Sequence, residues 1–380
     1  MIYLDSAATT AVRREVLEAM WPYMTAEFGN PSSHHSLGEA AANALKEARA
    51  TIAQILGCRA SEIIFTSGGT EADNLAIKGL ALAAPRGRHI VTTTIEHEAV
   101  LESCDYLHRH HGFEITYLPV DRHGLIVLDQ AAAAIRPDTT LCSIMLANNE
   151  VGTIQPIHEL AEIAHAAGVP LHTDAVQAAG ALDLNIGNLG VDALSLSGHK
   201  FGAPKGTGLL YLKGRLTIEP VLHGGGQERG RRSGTESVAG AVALAKALQL
   251  AEASRPESAQ RLSGLRDEFI AAVISSVPTA ILTGDPTQRL PGCASFCFPG
   301  TSGEAVLLYL EQHDIICSSG SACAAGADRP SHVLLAMGLA PEVAQTAVRF
   351  TLSEDTTADE LAVVAQTIQD AIHSLMRNAG

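Results

Sequence analysis

Short β-rich runs alternating with alanine-rich stretches constrain this chain more than any other feature. The segments EIIFTS (62–67), HIVTTTI (89–95), TLCSIMLA (140–147), VPLHTDA (169–175), DALSLS (192–197) and GLLYL (208–212) read as strands. Between most of them lie helical stretches such as GEAAANALKEARATIAQIL (38–56) and IHELAEIAHAAG (157–168). This alternation predicts an α/β fold with a mainly parallel sheet covered on both faces. Sites in such sheets lie at the carboxyl ends of the strands. From about residue 237 the pattern changes. A long Ala/Leu-rich helical tract runs to about 275, with a break expected near Pro256, and the strands CASFCF (293–298) and AVRFTL (347–352) follow. These predict a second, smaller α+β domain, as a length of 380 residues also suggests. No internal repeat is evident, which argues against a solenoid.

The charge balance narrows the partners. Lys plus Arg total 26 and Asp plus Glu total 41, a net charge of -15. Such a chain repels phosphate backbones, so no direct nucleic-acid binding is expected beyond a local basic patch around ERGRR (228–232). Seven cysteines without a CxxC pair point to a reducing, cytoplasmic compartment rather than a disulfide framework. The opening MIYLDSAATT reaches Asp5 before any apolar run grows, so no signal peptide is expected. No apolar run reaches the ~18 residues of a membrane span.

Four pieces carry candidate chemistry. FTSGGTEADNLAIKG (65–79) is a strand, a Ser-Gly-Gly-Thr turn and a helix. Taken alone it fits first a capped helix with Thr70 as N-cap, and second an anion cradle in which glycines admit a ligand to free N–H groups. In LHTDAVQAAG (171–180), Asp174 ends an apolar strand, either as another cap or as a carboxylate for a cationic ring nitrogen. In DALSLSGHKFGAPKGTG (192–208), Lys200 stands at a strand end among small residues. There a lysine can have a depressed pKa and form a Schiff base. The 26 residues from Asp174 to Lys200 span one crossover and one strand, so the two can lie side by side. In TIEHEAV (94–100), His97 follows a strand as a buried ring or as one that stacks on a flat cofactor and moves protons. An anion cradle, a ring-nitrogen carboxylate, a Schiff-base lysine and a stacking ring are together what pyridoxal 5'-phosphate requires.

The chain resembles the cysteine desulfurases of the NifS/IscS type, within the class-V aminotransferases. The resemblance runs nearly end to end. It includes YLDSAATT (3–10), FGNPSSHH (28–35), LANNEVGTIQPI (146–157), HGGGQERGRRSGTES (223–237), SSGSACAAG (318–326) and VRFTLS (348–353), besides the four pieces above. The combination of SGHK, RSGT and SSGSAC is highly specific. It implies the aspartate-aminotransferase fold (fold type I) of pyridoxal-phosphate enzymes, with a seven-stranded, mainly parallel sheet. The expected limits are 14–256 for the large cofactor-binding domain, and 1–13 with 257–380 for the small one. Carried over residue by residue, the resemblance makes Lys200 the Schiff-base lysine, Asp174 the partner of the pyridine nitrogen, Gln177 the neighbour of the ring hydroxyl and His97 the stacking ring. Asn148 would approach the cofactor oxygen and the substrate. Gly69, Thr70, Ser197 and His199 would hold the phosphate, and Thr235 would reach the phosphate of a second subunit, which implies a homodimer. Arg349 would clamp the substrate carboxylate, a task that suits a guanidinium fork. No metal is expected.

The resemblance also gives a use for Cys323, which sits in the small-residue run CSSGSACAAGADRP (317–330). That composition predicts a loop able to swing, and in this family the SSGSAC cysteine attacks the sulfur of bound L-cysteine. The implied products are L-alanine and a persulfide on Cys323, which passes to an Fe–S scaffold or another sulfur-acceptor protein. A selenocysteine lyase, or another lyase or aminotransferase of the same fold, is the alternative, although an aminotransferase needs no loop thiol. Ser6 stands where many relatives have tyrosine. Cys317 reads as a strand-end cysteine before a resolving thiol, and HRHH (108–111) as a polar helix end before a metal site.

Overall fold

The computed structural model describes residues 1–83, 85–319 and 330–378. Its strands in chain order are β1 (Ile2–Tyr3), β2 (Ile63–Thr66), β3 (His89–Thr93), β4 (Glu114–Leu118), β5 (Thr139–Ser143), β6 (Leu171–Asp174), β7 (Ala193–Ser197), β8 (Gly208–Leu212), β9 (Ile281–Leu282), β10 (Cys293–Cys297), β11 (Ile315–Ile316) and β12 (Ala347–Thr351). A seven-stranded sheet runs in the order β2-β8-β7-β6-β5-β3-β4. Only β8 runs against its neighbours β2 and β7; the other pairs are parallel. Strands β3, β5, β6, β7 and β8 are buried along their whole length, which explains their near-continuous apolar character in the sequence. Because β2, β3, β5, β6 and β7 point the same way, the residues that follow them share one edge of the sheet.

Helices close both faces. The helix Ser36–Leu56 buries Ala41, Ala44, Leu45, Ala48, Ile52 and Leu56 along one stripe, and Gly57 ends it at φ 70. The helix Val238–Ser276 is continuous, so the break expected near Pro256 does not occur. It packs on the large-domain core through Leu244, Ala247, Leu248 and Ala251, and on the small-domain core through Phe269 and Val273. Packing at both ends holds it together across a residue that removes one hydrogen bond.

The small core gathers Phe269, Phe296, Phe298 and Phe350 around the antiparallel sheet β12-β10-β9. Leu4 belongs to the same core, and β1 pairs in parallel with β11. The N-terminal strap is thereby tied to the small domain. Along the 238–276 helix the contribution passes from one core to the other between Ala251 and Phe269.

Candidate functional site

The carboxyl edge of the sheet brings most of the candidate residues together. Asp174 ends β6 and pairs in register with Ser195 of β7; three residues past the end of β7 comes Lys200, in a single 3-10 turn. Lys200 Nζ donates to the carbonyls of Ala7 and Ala8, at 2.6 and 2.9 Å. Gln177 Nε2 donates to the same Ala7 carbonyl at 3.0 Å, and His199 Nδ1 lies 3.1 Å from Thr9 Oγ1. The strap at residues 5–10 thus crosses the site and touches Gln177, His199 and Lys200.

Asp174 is buried, and Oδ1 accepts from the Val176 N–H at 2.9 Å. Burial raises its carboxyl, while that N–H, His97 and Lys200 pull the other way. The side chains that favour its charged form, His97 and Lys200, are therefore the residues read as its cofactor neighbours. His97 caps the helix Glu98–His111, with Nδ1 accepting from Ala99 N–H at 3.0 Å. That bond assigns the proton of the neutral ring to Nε2. Burial, followed by Lys200 and Lys205, pushes His199 down to about 4.

The helix Gly69–Ala83 begins two residues earlier than a Thr70 cap requires, so Thr70 lies inside its first turn and is not the N-cap. Glu71 ties this turn to its surroundings, accepting from Ser67 N–H at 2.7 Å and from Arg232 Nε at 2.7 Å. A Cβ on Gly69 would fall 2.7 Å from Val176 Cγ2 and 3.4 Å from Ser197 Cβ. Only glycine lets this helix start so close to the ends of β6 and β7. The result is a cradle of backbone N–H groups beside Ser197, suited to a phosphate.

Arg349, in the middle of β12, is buried. Nη1 donates to Asn149 O at 2.8 Å and Nη2 to Asp5 Oδ1 at 2.8 Å. Nε is buried without an acceptor among the described residues. A buried unpartnered donor on a guanidinium is costly unless a ligand completes it. Asn148 is fully buried, with Oδ1 accepting from Glu150 and Val151 N–H and Nδ2 donating to Ile95 O at 3.0 Å. Among the described residues its second N–H has only the Met145 sulfur, at 3.4 Å, the contact that a ligand oxygen would replace.

A cavity of about 980 Å³ opens between the strap, Lys200 and the small-domain stretches 290–293 and 351–356. Gln177, Asn149 and Ser6 help to line it, whereas Asp174, His97 and Asn148 do not. Ser6 Oγ is buried there without a hydrogen-bond partner among the described residues.

Two candidates are not brought into this constellation. Thr235 is exposed, on the segment that Arg232–Glu71 and the buried Arg49–Glu228 pair fasten to the large domain. Cys323 lies outside the described residues. The arginines of 228–232 are not a free basic patch, because Arg229 and Arg231 donate to Ser61 O and Arg232 pairs with Glu71. Cys317 directly follows β11, and burial pushes its thiol up to about 12, far from the thiolate a resolving role needs. HRHH forms the last turn of the 98–111 helix, with His108 Nδ1 2.8 Å from Phe113 O.

Sequence reasoning missed a second layer beneath Asp174. Asp73, Glu96 and His172 are all buried within it. Burial pushes Glu96 up to about 8 and His172 down to about 3. The available signal was the spacing of His172 and Asp174, two apart on one strand and therefore on one face.

Comparison with known proteins agrees with this geometry. The family described as Aminotransferase class-V matches residues 2–364. The chain is 47% identical to the cysteine desulfurase IscS of Dictyoglomus turgidum over 375 residues, 98% of this chain and 95% of that one. It is 44% identical to the cysteine desulfurase NifS of Azotobacter vinelandii over 375 residues, 98% of this chain and 93% of the relative. A solved structure described as a NifS-like protein superposes with a TM-score of 0.92 at 37% identity, covering 98% of this chain and all (100%) of that one. A structure described as SspA in complex with cysteine gives 0.82 at 38% identity, over 94% and 100% of the two chains.

Proposed function

Because the chain belongs to the class-V aminotransferase family, and within it to the cysteine desulfurases of the NifS/IscS type, we infer the following reading of its site. The chain is an enzyme that removes the sulfur of L-cysteine. The observation that carries the site is the placement of Lys200 and Asp174 at the ends of two paired strands, with the half-satisfied Arg349 fork alongside.

The donor set fits pyridoxal 5'-phosphate. Lys200 would hold it covalently, Asp174 would face its ring nitrogen, His97 its ring face and Gln177 its ring hydroxyl. The cradle of Gly69, Thr70, Ser197 and His199 would take its phosphate. When bound, the cofactor supplies the electron sink that makes the α-proton of an amino acid removable.

The remaining work belongs to the chain. Arg349 binds the substrate carboxylate through Nε and Nη2, the edge that Asp5 half occupies, and Asn148 orients the substrate beside it. Asp174 would face the ring nitrogen as an anion and favour its protonated form. The Lys200 amine is placed to take the α-proton of the substrate, with His97 as the second group placed to move protons. Cys323 attacks the substrate sulfur; an S–S bond forms, the carbon–sulfur bond breaks, and the skeleton leaves as L-alanine. The persulfide sulfur then goes to an Fe–S scaffold or another sulfur-acceptor protein.

A second copy of the chain completes the site. Thr235 is exposed on an arm fixed to the phosphate cradle, and Trp21 (64%), Met24 (58%) and Phe28 (67%) leave large apolar surface open on the single chain. The acidic balance and free cysteines support a reducing, cytoplasmic setting.

Purified protein given pyridoxal 5'-phosphate, L-cysteine and a reductant is expected to release one sulfide per alanine. A keto acid in place of alanine would overturn the reading.

A further inference from the structure

Ser318 and Ser331 stand on either side of Cys323 in the chain, and both are fastened to residues of the substrate site. Ser318, five residues before Cys323, forms an antiparallel bridge with Arg349. Arg349 N–H donates to Ser318 O at 2.7 Å, and Ser318 N–H to Arg349 O at 3.2 Å. Ser331, eight residues after Cys323, donates from Oγ to Glu150 Oε2 at 2.5 Å. The same Oγ accepts from Leu334 N–H at 3.2 Å and so caps the helix His332–Ala336. A serine hydroxyl both donates and accepts, so the bond to Glu150 stands in either protonation state of the carboxyl.

Glu150 belongs to the turn that presents the substrate-orienting groups. Its N–H and that of Val151 donate to Asn148 Oδ1, at 2.9 Å each, which fixes the direction of the Asn148 amide. The carbonyl of Asn149, between them, accepts from Arg349 Nη1 at 2.8 Å. One turn therefore touches the substrate amide, the carboxylate fork and the chain just beyond the Cys323 run.

Glu150 and Ser331 are both buried, and burying a carboxyl group is costly. Docking of the 332–336 helix does not require it. Val333, Leu334 and Met337 pack with Ile95, Met145 and Val151, and His332 Nε2 lies 3.0 Å from Glu96 O. Apolar burial is non-directional, whereas a short hydrogen bond fixes one atom against another. What the Glu150–Ser331 bond adds is the exact placement of residue 331 against the turn.

We propose that Glu150 is a positioning residue for the sulfur transfer: bonded to Ser331, it sets where the chain leaves the Cys323 run relative to the turn that orients the substrate. This rests on the reading of Cys323 as the nucleophile. Misplacing a reacting group by ~1 Å costs up to about 100-fold in rate.

The test compares two reactions of the holoenzyme. Exchange of the α-proton of L-alanine in D2O needs Lys200, Asp174 and Arg349 but no thiol. Single-turnover formation of alanine from L-cysteine needs the thiol as well. Glu150→Ala and Ser331→Ala are each expected to keep the exchange rate and to slow alanine formation by about tenfold or more. The double variant is expected to be no slower than the slower single one, since both remove the same bond. Glu150→Gln, which can still bond Ser331, is expected to recover most of the loss. Wild-type alanine formation in both alanine variants overturns the proposal. So does an equal loss in the two reactions, which would make Glu150 a support of the whole site, and so do losses that multiply in the double variant. If Glu150→Ala does not fold, Ser331→Ala, which deletes one oxygen, decides alone. The nucleophile reading fails separately, if Cys323→Ala forms alanine from L-cysteine at the wild-type rate.

Discussion

Nη2 of Arg349 donates to Oδ1 of Asp5 at 2.8 Å, while Nε of the same guanidinium is buried without an acceptor among the described residues. The edge that grips a carboxylate is therefore half taken by a carboxylate of the chain itself. A substrate must share or displace Asp5. Replacing Asp5 by Asn keeps a hydrogen-bond acceptor and removes the competing charge. KM for L-cysteine is expected to fall by about fivefold, with kcat little changed, the size of a partly screened charge interaction of ~1 kcal/mol. Arg349→Lys loses the fork and is expected to raise KM by about tenfold or more. Steady-state kinetics of both variants checks the pair, and unchanged KM in both contradicts it.

Arg49 and Glu228 form a bidentate pair, at 2.7 and 2.6 Å, buried between the 36–56 helix and the segment that carries Thr235. Glu228 also accepts from Phe65 N–H at 3.2 Å. Glu228→Ala leaves a buried guanidinium uncompensated and is expected to cost about 3–5 kcal/mol of stability. Urea unfolding monitored by circular dichroism measures it. A loss below about 1 kcal/mol, the range of surface pairs, would mean the pair does not anchor this arm.

Asp192, at the start of the turn into β7, makes a pH-dependent contribution. Burial alone would raise its carboxyl, but bonds from Lys213, His165 and the Leu171 N–H hold it below its ordinary value. A lowered folded pKa gives stability that is fully present above the unfolded pKa of about 3.9 and is lost as pH falls through the folded value. Asp192→Asn is expected to be less stable than wild type at pH 7, with the gap narrowing below about pH 4. Thermal unfolding across pH 3–7 follows it; a gap that widens in acid would contradict the assignment.

How much of this was legible in the sequence depends on what each residue must satisfy. Asp174, Ser197 and Lys200 stood out because a polar residue closes an apolar run, and burial on both sheet faces writes such runs plainly. The edge strand β4, Glu114–Leu118, is only partly buried and lacks that signature, and the two-residue strands β1, β9 and β11 are too short to carry one. Thr70 read as a cap because Ser/Thr before a helix caps most often, yet Gly69 already enters the helix. Pro256 read as a break because the two cores that grip the helix are made by residues distant in sequence. Asp73 and His172 were invisible for the same reason: in isolation they look like a helix-start acid and an ordinary histidine, and only the packing of the 69–83 helix on the sheet puts them together.

The reaction divides its labour between a lysine fixed at the end of β7 and the thiol of Cys323 in the small-residue run 317–330. The most direct measurement is the absorption spectrum and sulfide release of Cys323→Ala, purified with pyridoxal 5'-phosphate and given L-cysteine and a reductant. The variant is expected to keep the bound cofactor's visible band and to lose sulfide release, whereas Lys200→Ala loses both that lysine-linked band and turnover. Sulfide release by Cys323→Ala at the wild-type rate would contradict the account.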